Sequence, residues 1–180
     1  LGLVGSEMCI RDRSDIVDYL LYVDKKTGLP NREKLNIYIG EMAGKVLPEA
    51  FTCFTLNLDN LSELTKRFGY TVGDGVLKDF AGLVQLMGDT EGMRGYNGIG
   101  RFVVFFEECS SKKAAAMIRI LDNQVEEYNS LNPEYPIRYT AAWATTEETD
   151  TYEIRELLRL SQKKWKQMEK EKKDKTEEET

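Results

Sequence analysis

Histidine is absent from all 180 residues of the sequence. Imidazole is the usual base beside serine and cysteine nucleophiles and a common metal ligand. Its absence therefore excludes Ser-His-Asp and Cys-His catalysis and every metal site built on histidine. Cysteine is scarce as well: Cys9, Cys53 and Cys109 are too far apart for a zinc knuckle or a CxxC pair, and this pattern fits a reducing, cytosolic compartment.

The chain also lacks a long apolar run and an excess of positive charge. No apolar stretch approaches the length of a membrane span, so no spanning segment is expected in this chain. The formal net charge is −6, which leaves no basic face for a phosphate backbone, and a nucleic-acid partner is not expected. With 41% apolar and 31% charged residues, the composition is typical of one globular domain with a hydrophobic core.

Residues 1–13, LGLVGSEMCIRDR, show neither a hydrophobic period nor helix caps. This segment resembles a conceptual translation of sequencing-library adapters, and we exclude it from the fold prediction as an artefactual or disordered leader. On that interpretation the natural N-terminus is missing and the domain is the end of a longer chain.

From residue 14 onward, the hydrophobic pattern alternates between the helical and the strand period. A stem helix is predicted at 14–23, followed by the folded domain at 24–170. Within 94–108 a hairpin is predicted, because Asn97-Gly98 is the strongest short turn signal and FVVFF reads as a central strand with two apolar faces. Further helices are predicted at 31–46, 61–68, 72–87, 111–128 and 151–168, further strands at 51–58 and 137–144, and a charged, disordered tail at 171–180.

The resulting order is strand, helices, strand-turn-strand, helix, strand, helix, which is the split βαβ pattern. It predicts an α+β fold of the palm or ferredoxin-like type, with an antiparallel sheet and flanking helices on one face. Because this fold hosts many activities, the function has to be inferred from the site residues.

Three segments resemble the motifs of GGDEF domains. Residues 24–32, DKKTGLPNR, are similar to D-x-L-T-G-L-x-N-R, with Lys26 in place of Leu, and residues 56–77 resemble L-D-x-D-x-F-K-x-x-N-D-x-x-G-H-x-x-G-D-x-x-L. The family's G-G-D/E-E-F signature falls on Gly98, Ile99, Gly100, Arg101 and Phe102. The similarity spans about residues 14–168. It implies the fold of the diguanylate cyclases, which join two GTP molecules into cyclic di-GMP between two domains.

The resemblance implies a metal site that this sequence has lost. Attack of a ribose oxygen on an α-phosphate needs Mg²⁺ or Mn²⁺, which the family holds with carboxylates. The strand Asp of the family falls on Asn57, the third signature letter on Gly100 and the fourth on Arg101. With these acids gone and a positive charge at Arg101, we expect no catalytic residue, no metal and no cofactor.

The nucleotide pocket implied by the resemblance is only partly kept. The guanine-reading Asn falls on Thr65, whereas the Asp that follows the second Gly is retained as Asp74. Two interpretations of Asp74 remain open: a helix cap, which its residue type favours, or a remaining nucleotide contact. Asp59 is expected to stabilise the strand-helix turn. The family's inhibitory product site, R-x-x-D, would fall on residues 89–92, DTEG, and is absent.

These observations predict a degenerate GGDEF domain that acts as a regulatory or interaction module of a bacterial, cytoplasmic signalling protein. Its expected partner is another protein, or a second copy that binds through the stem helix. The first alternative is a sensor that binds a guanine nucleotide weakly through Asp74 and Thr65. The second alternative is a cyclase that remains active with a displaced metal site.

Overall fold

The computed structural model of the chain describes residues 13–88 and 91–178. The predicted leader therefore lies outside the described residues, except for Arg13, which is helical. Residues 89 and 90, the first half of the segment compared with the product site, lie outside them as well.

Within the described residues, four strands form one antiparallel sheet in the order β2-β3-β1-β4. The strands are β1 (Thr52–Leu58), β2 (Gly92–Tyr96), β3 (Arg101–Phe106) and β4 (Tyr139–Thr145). Because β1 and β3 lie at the centre, β3 lies between β1 and β2, and β1 lies between β3 and β4. This is the split βαβ arrangement, and the predicted α+β fold class is confirmed.

The helices begin and end at recognisable local signals. The helices are α1 (13–22), α2 (Arg32–Met42), α3 (Leu61–Phe68), α4 (Tyr70–Gln85), α5 (Ser111–Leu131), α6 (Thr146–Thr149) and α7 (Ile154–Glu178). The side chain of Asn31 caps α2 by accepting from the Lys34 amide, and Ser110 caps α5 in the same way through the Lys113 amide. Gly69, with φ of +92°, separates α3 from α4.

Helices cover both faces of the sheet, so the expectation of helices on one face is wrong. Successive residues of β3 alternate between two cores: Phe102 packs with Phe80 of α4, and Phe105 packs with Tyr38 of α2. Helix α7 crosses β1 and β4 on the α2 face, where Leu157 is fully buried. This two-sided burial is the reason that FVVFF is apolar at every position.

Several predicted boundaries differ from the structure. Helix α2 ends at Met42, and Val46, placed on its apolar stripe, is 84% exposed. The short α6 was not predicted. The segment 171–178, expected to be part of a disordered tail, continues α7 as helix, supported by an ion pair of 3.1 Å between Lys173 and Glu169 one turn apart.

In the part of the chain that the structure describes, no helix is both long and apolar enough to cross a bilayer.

Candidate functional site

The candidate site lies where β1 ends and β3 begins. The register pairs Asn57 of β1 directly with Arg101 of β3, so the two positions at which the sequence resemblance predicts acids are cross-strand neighbours. Both side chains lie on the face of the sheet that α7 covers, because their neighbours Leu56 and Phe102 belong to the opposite core. The third position, Gly100, comes one residue before Arg101. The structure therefore brings all three predicted positions together.

Arg101 is held in place by an aromatic ring of α7. Its guanidinium carbon lies 5.4 Å from the ring centroid of Trp165, which is only 5% exposed. A guanidinium at this distance is attracted by the quadrupole of the ring. The positive charge of Arg101 therefore lies beside Asn57, its cross-strand neighbour.

Asp59 is an acid kept near the end of β1, and protein groups engage both of its oxygens. Asn57 Nδ2 donates to Oδ1 at 2.9 Å, and Thr140 Oγ1 donates to Oδ2 at 2.6 Å. Lys172 of α7 lies 3.7 Å from Oδ2 and donates to Thr140 Oγ1 at 2.7 Å. This network joins β1, β4 and α7, whereas the predicted role of Asp59 was to stabilise the turn between β1 and α3, which none of these contacts reaches.

The hairpin tip is longer than the predicted two-residue turn. Asn97 does not adopt positive φ, whereas Gly98, Ile99 and Gly100 do, with φ of +84°, +54° and +72°. The Asn97 amide donates to the Arg101 carbonyl, which closes a three-residue loop. The prediction of an Asn-Gly turn is therefore wrong in length. Ile99 is 83% exposed, so no packing interaction compensates the cost of this backbone conformation for a β-branched residue.

Gly100 is in a place where a side chain does not fit well. A Cβ atom there would lie 3.1 Å from the carbonyl oxygen of Leu58, in addition to the positive φ. The Gly100 amide donates to the hydroxyl of Tyr96 at 3.0 Å. Burial raises the pKa of Tyr96, and the bond from Gly100 acts against that rise. The hairpin tip is thus shaped around a glycine at the position of the third signature letter.

On the nucleotide side, Asp74 forms an ion pair with Lys26. Lys26 Nζ lies 3.1 Å from Asp74 Oδ1, and this contact raises the pKa of Lys26. Asp74 is the fifth residue of α4 rather than its cap, so the capping interpretation is wrong. Thr65 packs against the same part of α4, because a Cβ on Gly73 would lie 2.3 Å from its Oγ1. Thr65 therefore lies beside Gly73, the residue that precedes Asp74 in α4.

The donor set at the end of β1 does not fit a divalent metal. Among residues 13–88 and 91–178, no group of three or more His, Cys, Asp or Glu side chains is placed to hold an ion. The amide of Asn57 directs its N–H toward Asp59, and Arg101 and Lys172 contribute two positive charges. Hard cations such as Mg²⁺ require several oxygen ligands, and two neighbouring cations oppose their binding.

Three contacts at the site were not predicted from the sequence. Lys172 falls in the predicted solvated tail, and nothing in the alternation of Lys and Glu there marks it. The sequence shows Lys26 in place of Leu in the motif, but it does not show that Lys26 contacts Asp74. Arg32 donates from Nε to Asn97 Oδ1 at 3.1 Å and from Nη2 to the Asn97 carbonyl at 2.7 Å, which anchors the hairpin tip. The position of Arg32 at the end of the DKKTGLPNR motif was the available signal.

Comparison with known proteins gives two findings on the sequence. A family model described as "Diguanylate cyclase, GGDEF domain" matches residues 21–175. A search of curated proteins returned no match.

Solved structures with the same fold include several from this family. A diguanylate cyclase/phosphodiesterase from Caldicellulosiruptor saccharolyticus superposes with a TM-score of 0.64 at 19% identity, over 84% of this chain and 91% of that chain. The coiled coil and GGDEF domain of DgcB from Caulobacter crescentus, in complex with c-di-GMP, gives 0.62 at 16% identity, over 79% and 78%. The S helix-GGDEF-EAL chain of Vibrio cholerae LapD, bound to c-di-GMP, gives 0.64 at 12% identity, over 77% of this chain and 32% of that one.

Proposed function

The chain belongs to the GGDEF domain family of diguanylate cyclases, and from this premise we propose that it is a catalytically inactive member. Its role is that of a regulatory or interaction module in a bacterial, cytoplasmic signalling protein that works with cyclic di-GMP. In this role the domain retains the fold and the surfaces of a cyclase and requires neither Mg²⁺ nor Mn²⁺.

The pairing of Asn57 with Arg101 carries this proposal. Two positions that correspond to acids of the family face each other across β1 and β3, and they hold a neutral amide and a cation. Phosphoryl transfer depends on a metal ion that coordinates and neutralises the triphosphate. We infer that the guanidinium of Arg101, which cannot coordinate the phosphates as a metal ion does, does not replace that ion. The glycine at position 100, with a backbone that disfavours a side chain, supports the same conclusion.

The surface of α1 supports an interaction role. Ile16, Val17, Leu20 and Leu21 are each at least 50% exposed, although they form an apolar stripe at helical spacing. Helices that precede the GGDEF domain are named in two of the similar structures, as an S helix in LapD and as a coiled coil in DgcB. We infer that α1 pairs with a second copy or with a partner helix.

The test is an assay for cyclic di-GMP formation from GTP with Mg²⁺ or Mn²⁺. The full chain is fused through its N-terminus to a dimeric coiled coil, so that weak association does not limit the result. An active GGDEF domain in the same fusion is the positive control. We expect no product above the blank without enzyme. Product formation at a rate proportional to enzyme concentration would contradict the proposal and would favour a cyclase with a displaced metal site.

A second candidate function, a guanine-nucleotide sensor, is favoured by one observation. The side chain of Asp74, which follows the residue that Thr65 packs against, is 42% exposed. Lys26 neutralises it, so Lys26→Leu would free it for a nucleotide base. Calorimetry with GTP and GDP, with Lys25→Leu as the matched control at an exposed neighbour, tests this function. Binding that appears or tightens only in Lys26→Leu would place the sensor function first.

A further inference from the structure

The last turns of α7 extend beyond the region where the helix packs on the core. Its buried residues are Ile154, Leu157, Ser161 and Trp165, and none of residues 169–178 is buried. Apolar packing therefore does not explain why the helix remains seated over the sheet after Trp165. The contacts of this segment are polar, and they lie at the end of β1.

Lys172 makes the contacts that hold this segment. Its ammonium donates to Thr140 Oγ1 at 2.7 Å and to the Tyr139 carbonyl at 3.2 Å, and it lies 3.7 Å from Asp59 Oδ2. The Thr140 hydroxyl in turn donates to Asp59. Thr140 is 2% exposed, so this network is anchored in the folded sheet and not only at the surface.

These contacts lie beside an open cleft. A cavity of about 370 Å³ lies between the end of β1 and α7, with Asn57 and Asp59 on one side and Glu169, Lys172 and Lys173 on the other. A second cavity of about 250 Å³ adjoins it and shares Asn57, Asp59 and Glu169. Both are bounded by α7, and access to the end of β1 therefore depends on where residues 169–178 lie.

We propose that residues 169–178 of α7 are a strap that lies across this cleft, with the Lys172 ammonium in the place of a bound cation beside Asp59. The ammonium of Lys172 neutralises the carboxylate of Asp59. Free cations therefore do not bind to that carboxylate while the strap is in place. The inference concerns access to the cleft and goes beyond the proposed loss of catalysis. A partner that displaces the strap would expose Asp59 and the end of β1 without any change in the core.

The first test measures cation binding with and without the strap contact. Asn57→Asp replaces the amide 2.9 Å from Asp59 with a second carboxylate, which creates a pair that needs a cation. We compare Mn²⁺ binding by calorimetry in Asn57→Asp/Lys172→Met and Asn57→Asp/Lys170→Met. Lys170 is exposed on the same helix, so both proteins have the same net charge. We expect binding at least about tenfold tighter in the first protein, because its ammonium no longer competes.

The second test uses the otherwise unchanged chain, so it does not depend on the engineered acid pair. Amide hydrogen exchange of residues 169–178 should be about fivefold faster in Lys172→Met than in Lys170→Met, because only the first variant loses the anchor. Equal Mn²⁺ affinities in the first test, or equal exchange rates in the second, would each overturn the proposal. Neither measurement involves product formation, so both outcomes are independent of the proposed inactivity.

Discussion

Arg101 and Gly100 alter the site in different ways at the scale of single residues. Arg101 adds a charge, and its contact with Trp165 fixes that charge beside Asn57. Gly100 supplies no side chain, and its φ of +72° and its close approach to the Leu58 carbonyl disfavour one. An acid introduced at position 101 therefore changes the electrostatics of the site, whereas an acid introduced at position 100 also introduces steric strain.

The strain at Gly100 gives a prediction for restoring the acid. Gly100→Asp should lower the free energy of unfolding by about 1–2 kcal/mol, because an L-residue is disfavoured at φ of +72° and the new Cβ contacts the Leu58 carbonyl. Gly100→Ala should cost nearly as much, which separates the effect of the Cβ from that of the charge. Urea denaturation measures both. The control is Gly40→Ala, in helix α2 with open space around it, which should be stabilising. Full stability of Gly100→Ala would contradict the strain argument.

Ile99 leads to the opposite prediction at the neighbouring position. It adopts φ of +54° while its side chain is 83% exposed, so the residue contributes strain without packing. Ile99→Gly should raise the free energy of unfolding by about 1 kcal/mol in urea denaturation, because glycine adopts this conformation without a steric penalty. Ile99→Val keeps the β-branch and should leave the stability unchanged. A destabilised Ile99→Gly would show that the Ile99 side chain makes a stabilising contact despite its exposure.

At the scale of elements, one side chain of α2 forms two hydrogen bonds with the tip of the hairpin between β2 and β3. The guanidinium of Arg32 binds both the side chain and the carbonyl of Asn97 through two different nitrogens. Lysine has a point charge and cannot make the two contacts in this geometry. The orientation of the hairpin tip, and with it the position of Arg101, therefore depends on the first residue of α2.

Arg32→Lys should loosen the hairpin tip without unfolding the sheet. We expect amide exchange at residues 98–101 to accelerate about fivefold, because roughly 1 kcal/mol of hydrogen bonding is lost. Exchange within β1 should not change. Arg119→Lys, at an exposed position of α5, is the matched control. If Arg32→Lys and Arg119→Lys give the same exchange at the tip, Arg32 does not anchor it.

The elements that were predicted well are those with a long and regular period or clear end signals. Helix α3 begins and ends where expected, at Leu61 and Phe68, because an acid-to-base gradient and Gly69 mark its limits. The hairpin tip differs from the prediction because Asn97-Gly98 indicates a two-residue turn, whereas the Arg32 contact and the Tyr96 hydroxyl stabilise a longer loop. The continuation of α7 depends on contacts with β4 that are distant in sequence and leave no local pattern.

At the scale of the whole molecule, the candidate site was predictable only in part. The spacing of the motifs singled out Asn57, Gly100 and Arg101, and the structure brings these three positions together, because a hairpin beside a strand fixes the register of both. The sequence could not indicate that Lys26 neutralises Asp74 or that Lys172 reaches Asp59. Charged side chains on exposed helices and turns have many possible partners, and only the tertiary structure selects one.

The exposed stripe of α1 leads to a prediction for the assembly of the molecule. An isolated helix as short as 13–22 is marginal in water, so α1 needs a partner surface to cover its apolar side chains. We expect the chain to dimerise weakly in sedimentation measurements over a range of concentrations. Leu20→Asp/Leu21→Asp should weaken this association at least about tenfold, because each carboxylate would be buried without a partner in the helix pair.

The control for this prediction is Val46→Asp/Leu131→Asp, which changes two exposed apolar residues outside α1 by the same charge. It should sediment like the unchanged chain at every concentration. If the α1 variant and the control associate equally, the contact between copies lies elsewhere and α1 is not the interaction surface. If all three proteins remain monomeric, α1 does not mediate self-association, and the guanine-nucleotide sensor becomes the better account of a domain that carries Asp74 and has no carboxylate at positions 57, 100 and 101.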